Sequence, residues 1–186
     1  MMGCLIMIGL LPESVKTFPF FHPLMILSDK EIKELVKKGV IMGFINLEKQ
    51  ITPNGFDLTV KEVLRVKGGG KLDFSNEERR ISEAELLEWE DGELKLEPGV
   101  YKIRTNEIMN FPKDLVALVF PRSSLTRNGA SIEAGVGDAG FQGRYELLLT
   151  VFKPITLKKD ARIAQMVFLR MSSRAEREYE GIYKFI

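Results

Sequence analysis

The chain has 186 residues, the size of one domain with short trimmings, and 45% of them are hydrophobic, enough for a packed core. Lys plus Arg is 27 and Asp plus Glu is 26, a formal charge of +1 that lacks the basic surplus of a dedicated nucleic-acid binder. A single cysteine, Cys4, and a single histidine, His22, exclude an internal disulfide, a zinc site built on His and Cys, and Cys–His or Ser–His–Asp catalysis unless His22 is the base.

Residues 1–24 are apolar and irregular. The apolar run from Cys4 to Leu11 is too short to cross a bilayer and lacks a positively charged start, so neither a membrane span nor a signal peptide is expected, and the protein is expected in the cytoplasm. His22 reads as an incidental residue of this leader. Ser28 with Glu31 three residues on makes a capping box, and Leu27 with Ile32 makes a hydrophobic staple across it. Ile32, Leu35 and Val36 form an apolar stripe and Gly39 is a stop signal, so the spacing predicts a helix over residues 29–38. Beyond Gly39 the pattern changes to short apolar runs, at residues 59–66, 93–96, 100–104, 115–120, 145–152 and 163–170. Turn signals such as Asn54-Gly55, Asp91-Gly92, Pro98-Gly99 and Asn128-Gly129 punctuate them, the signature of an all-β sandwich or barrel. The segment KGGGK at residues 67–71 reads as a hairpin turn, because it lacks the P-loop spacing. Residues 76–90 read equally as a helix or an exposed hairpin, and the charged residues 172–186 as a flexible tail.

Three segments carry polar residues that folding alone does not demand. In PRSSLTRNG, residues 121–129, Arg122 offers a planar fork of donors for phosphate oxygens, Ser123 and Ser124 add hydroxyls, and Arg127 adds a second guanidinium. The alternative is a polar loop with a capped helical turn. In GVGDAGFQGR, residues 135–144, glycines let the backbone approach a ligand, and Asp138 among them can be a general base, can hold a metal through water, or can be a turn residue bonded to its own backbone. In DARIAQMVF, residues 160–168, Gln165 is the polar exception in an apolar strand and should face a site or satisfy a buried partner.

Together these segments resemble, in order, the motifs of the dUTPase/dCTP-deaminase family: NGFDL at residues 54–58, PRSSLTR at 121–127, GVGDAGFQGR at 135–144 and ARIAQMVF at 161–168, preceded by a deaminase-like N-terminal stretch at 25–39. The resemblance implies a mainly β fold, a distorted β jelly roll of the β-clip type with a short N-terminal helix, over residues 25–171. Residues 1–24 then form an extension or reflect an early start codon, and residues 172–186 form the tail. It also implies a homotrimer with sites between subunits.

The same resemblance implies hydrolysis of dUTP to dUMP and pyrophosphate, which limits uracil in DNA. Asp138 would activate the water that attacks the α-phosphorus. Arg122, Ser123, Ser124 and Gln165, with Arg127, would grip the triphosphate, and Mg²⁺ would be held mainly through its phosphates. Phe141 would lie under the deoxyribose and leave no room for a 2′-hydroxyl, and uracil would be read by backbone groups over residues 132–136. Asp57 would support the site or metal hydration, or serve the fold alone.

Deaminases of the family carry a glutamate ten residues after the third-motif aspartate; here that position is Leu148, and the nearest carboxylate is Glu146. On a strand the two face one side, about 6–7 Å apart. Proton transfer needs hydrogen-bond reach, so the residues favour the diphosphatase. The alternatives are a dCTP deaminase or bifunctional deaminase/dUTPase, and a non-catalytic nucleotide-binding jelly roll.

Overall fold

The computed structural model describes residues 25–184. The expected extension over residues 1–24, with Cys4 and His22, lies outside the described residues.

The first helix, α1 (Asp29–Lys37), forms where its signals lie. The Glu31 carboxylate accepts from both the amide and the hydroxyl of Ser28, each at 3.0 Å. Leu27 and Ile32 are fully buried, as the staple requires. At the other end Gly39 takes a φ of +71°, and the Val40 and Gly39 amides return to the Leu35 and Val36 carbonyls at 2.9 and 3.0 Å. This is a Schellman ending, which favours glycine at the left-handed position.

The strands follow: β1 (Ile41–Met42), a helical turn α2 (Leu47–Gln50), β2 (Ile51–Thr52), β3 (Gly55–Lys67), β4 (Glu83–Leu86), β5 (Glu93–Leu96), β6 (Gly99–Asn110), β7 (Leu115–Pro121), a short helix α3 (Ser123–Arg127), β8 (Ala130–Glu133), β9 (Gln142–Val151), β10 (Ile155–Lys158) and β11 (Arg162–Arg170). One sheet runs in the order β7-β11-β3-β6-β9-β8, with β1 on β6 and both β2 and β4 on β3, while β5 and β10 form a separate antiparallel pair. Strands β7 and β8 at the two ends come back into contact, so the sheet nearly closes around one core.

All six expected strand runs are strands. The fold is the mainly β jelly roll expected, and residues 76–90 resolve as the hairpin alternative, with β4 antiparallel to β3. Several boundaries differ, and β3 starts at Gly55 instead of Thr59. Strand β6 runs on to Asn110 instead of ending at Arg104, because its polar continuation Thr105 and Glu107 turns inward and is satisfied there. Strand β9 starts at Gln142 and ends at Val151, so Phe152 falls outside it and is exposed.

The charged segment expected as a flexible tail is described as far as Lys184. Residues 172–184 contain no helix or strand, yet they are laid against the domain. The Ala175 amide donates to the Lys113 carbonyl at 2.8 Å and the Tyr179 amide to the Ala139 carbonyl at 3.1 Å. Glu178 pairs with Lys113 at 3.1 Å, and the Tyr179 ring meets Phe141 edge-on at 5.4 Å. Aromatic packing and backbone bonds hold a segment whose charge alone suggested solvent.

Candidate active site

Two clusters of functional groups stand on this frame. The first gathers where β3, β11 and the end of β7 meet. Gln165 on β11 is the register partner of Asp57 on β3 and of Phe120 on β7. Gly55 is required at this crossing: a Cβ there would lie 2.7 Å from the Met166 carbonyl and 3.0 Å from the Gln165 side chain. Asp57 is buried, with 1% exposure, and its Oδ2 receives Arg122 Nε at 3.0 Å and Arg162 Nη1 at 3.2 Å. Burial pushes the Asp57 carboxyl above its ordinary range, and the two guanidiniums pull it back. Two cations held by one carboxylate leave a net positive charge at the surface.

Arg122 is further fixed by a bond from Nη1 to the Arg162 carbonyl at 3.2 Å, and Gln165 Nε2 donates to Thr52 Oγ1 at 2.5 Å. Ser123 and Ser124 open α3 directly after Arg122 and are exposed, as is Arg127 at its end. First-turn amides of a helix have no partner within it, so this corner offers guanidinium, hydroxyl and amide donors to an anion. Sequence reasoning missed Arg162. A bulge between Arg162 and Ala164 buries Ile163 and Ala164 in succession and turns Arg162 onto the side of Gln165, which simple alternation denies it.

Behind Asp57 lies a buried polar network. Gln50 Nε2 donates to the Asp57 carbonyl at 2.9 Å and to Glu107 Oε1 at 2.7 Å. Glu107 also accepts from the Thr59 hydroxyl at 2.6 Å and the Thr59 amide at 2.9 Å. It is fully buried, and burial raises its carboxyl above the usual range while the Thr59 bonds oppose the rise.

The second cluster surrounds the glycine-rich segment. Gly137 pairs with Ala117 of β7, its amide and carbonyl exchanging bonds at 2.8 and 3.0 Å. Asp138 follows, exposed, and its carboxylate makes no hydrogen bond or ion pair among the described residues. A cavity of about 510 Å³ is lined in part by residues 133–136, Phe141, Tyr145, Glu146, Leu148, Tyr179 and Tyr183, and Asp138 lies in a second hollow that shares Tyr179 with it. The backbone expected to read a base and the aromatic expected under a sugar therefore share one pocket. Phe141 is also a core residue, 8% exposed, with Tyr145 edge-on at 5.2 Å.

Position 148 is in the cavity wall as leucine; Glu146 also lines the cavity and is held by Arg104 Nε at 2.8 Å. Glu133, which sequence reasoning passed over, stands directly across the β8–β9 pair from Leu148 and lines the same cavity. Its signal is visible only once the strand register is known.

Within one chain the two clusters are apart. Gly137 sits beside Ala117, and Arg122 lies five residues further on, just past the end of β7, about 16 Å of extended strand away.

A family model described as dCTP deaminase-like matches residues 26–171. The chain belongs to the dUTPase/dCTP-deaminase family. This family member is 43% identical over 164 residues to a protein of Methanococcoides burtonii named probable deoxyuridine 5′-triphosphate nucleotidohydrolase, a match covering 86% of this chain and 96% of the relative. It is 42% identical over 144 residues to the deoxyuridine 5′-triphosphate nucleotidohydrolase of Methanocaldococcus jannaschii, covering 76% of this chain and 92% of that one. Among solved structures, the 2′-deoxycytidine 5′-triphosphate deaminase of Agrobacterium tumefaciens shares the fold with a TM-score of 0.63 at 22% identity, over 79% of this chain. The chain spans about half the length of that structure, 48%.

Proposed function

We propose that the chain is a dUTP diphosphatase that hydrolyses dUTP to dUMP and pyrophosphate. The observation that carries this reading is its near full-length likeness to archaeal proteins named deoxyuridine triphosphate nucleotidohydrolases. In the proposed site the deoxyuridine enters the cavity over Phe141, its base against the backbone of residues 133–136. An aromatic ring under the sugar leaves a 2′-hydroxyl without space or partner, which selects deoxyribose. Arg122, Arg162, Ser123, Ser124 and Gln165 hold the triphosphate, with Arg127 at the rim, and Asp57 anchors the two arginines from behind. Asp138 takes a proton from the water that attacks the α-phosphorus, and the guanidiniums meet the charge that develops.

Mg²⁺ fits this donor set only through the substrate. No three His, Cys or carboxylate side chains cluster among the described residues, and Asp57 is committed to arginines, so phosphate oxygens would supply most ligands, with Asp138 reaching the ion through water. When bound, Mg²⁺ would screen the phosphate charge.

The separation of the clusters along β7 supports a site shared between copies. Leu118 and Phe120 expose apolar side chains on the stretch of β7 between them, 37% and 51% exposed. A homotrimer would cover that stripe and bring the Arg122 cluster of one copy to Asp138 and the cavity of another. No helix among the described residues is long and apolar enough to cross a membrane, and the proposed location is the cytoplasm, where DNA precursors are made.

A second reading, deamination of dCTP, is favoured by Glu133. A carboxylate directly opposite Leu148 has its Cβ about 5 Å from that residue's, close to where the deaminase glutamate should act. Incubation with dUTP, dCTP and UTP in the presence of Mg²⁺ separates the readings. Pyrophosphate from dUTP alone is expected. Ammonia from dCTP, lost in Glu133→Gln, would establish the deaminase, and binding without turnover would establish a regulatory jelly roll.

A further inference from the structure

Tyr145 lies on the inward side of β9, 7% exposed, with its ring against Phe141 and Phe111 in the wall of the cavity. Its hydroxyl oxygen is buried and has no hydrogen-bond partner among the described residues. Leaving a buried hydroxyl unpaired costs about 1–3 kcal/mol, so such a group in a native fold calls for a reason. The oxygen abuts Gly137: a Cβ there would overlap it, and would also lie 2.8 Å from the Phe111 ring. The next residue is Asp138, whose carboxylate is also without a partner among the described residues. Burial, and then the negative charge of Asp138, push the phenol above its ordinary range, so it stays protonated and can only donate to an anion. An unpartnered donor therefore abuts the residue next to an unpartnered acceptor. The other ionisable groups around Asp138 are Arg177, Glu178, Tyr179 and Glu180 of the tail, and Glu178 is engaged by Lys113.

We propose that Tyr145 is a positioning residue for Asp138: with nucleotide in the cavity, the Asp138 carboxylate turns inward and accepts a hydrogen bond from the Tyr145 hydroxyl. One carboxylate oxygen is then fixed and the other is presented to the attacking water. This rests on the reading of Asp138 as the base. The phenol transfers no proton; it sets the orientation of the carboxylate and stabilises its charged form.

The test is Tyr145→Phe, which removes one oxygen and keeps the ring. In the ligand-free protein the melting temperature should stay the same or rise, because the lost hydroxyl had no partner. Turnover of dUTP should show kcat lower by about tenfold to a hundredfold, the range typical of supporting hydrogen-bond partners, with KM changed less than about twofold. The acid limb of the kcat–pH profile should move to higher pH, since the carboxylate loses a donor to its charged form. A fall in melting temperature of several degrees would show that the hydroxyl already has a structural partner and would overturn the proposal. So would an unchanged kcat and acid limb, or a loss confined to KM. Wild-type protein inactive on dUTP would remove the functional reading and this inference together. An active wild type with an indifferent variant would remove the inference alone.

Discussion

Glu107 shows how a single buried charge can serve a site it never touches. Its three donors, the Thr59 amide and hydroxyl and the Gln50 amide, tie β6 to β3, and Gln50 passes the restraint on to the Asp57 carbonyl. Removing the carboxylate with Glu107→Ala strands these donors and should destabilise the fold by on the order of 3 kcal/mol. The charge itself works the other way. Burial raises Glu107 above its ordinary 4.5, so the folded chain holds that proton more tightly than the unfolded chain does. The contribution is full below pH 4.5 and is lost as pH rises through the raised folded value. The variant Glu107→Gln, which cannot ionise, should therefore gain melting temperature relative to wild type as pH rises from about 4 to about 7. A difference that is constant with pH would mean that Glu107 titrates normally in the fold. Gln50, Thr59 and Glu107 read in the sequence as ordinary polar residues, since nothing local marks three positions that meet only when β3 and β6 pair.

Among the elements, those that rest on local chemistry were legible: the capping box and Gly39 of α1, the tight turn at Asp91-Gly92, and the alternation of β9. What escaped depends on pairing. The bulge in β11 hides Arg162 from a period of two, and the inward Thr105 and Glu107 disguise half of β6 as a polar loop. The tail is the plainest case, because its charges suggest solvent while Tyr179 and Tyr183 line the cavity. Deleting the chain after Arg174 should strip both rings from this wall and remove the Lys113–Glu178 pair. The expected result is a KM for dUTP raised by about tenfold or more, consistent with losing an aromatic contact and its ordering of the pocket, at little change in melting temperature. Unchanged kinetics would remove the tail from substrate binding.

For the whole molecule, the distance along β7 is the decisive feature. Ala117, beside Gly137, and Arg122 are about 16 Å of extended strand apart, the spacing on which the proposal of a site shared between copies rests. Coexpressing Asp138→Asn with Arg122→Gln should restore activity that neither variant has alone. In a head-to-tail ring roughly a quarter of the sites would then receive both wild-type residues by random pairing. Mixtures as inactive as their parents would place the whole site within one chain. The sequence motifs contain the residues of both clusters but hold no record of this separation, because spacing along a strand becomes distance only when the register of Gly137 with Ala117 is known.

The most direct measurement is hydrolysis of dUTP in ¹⁸O-labelled water, with mass analysis of both products. Attack at the α-phosphorus by water held on Asp138 places the label in dUMP and none in pyrophosphate, and Asp138→Asn should bind dUTP without producing either. Label in pyrophosphate, or undiminished turnover by Asp138→Asn, would contradict the account.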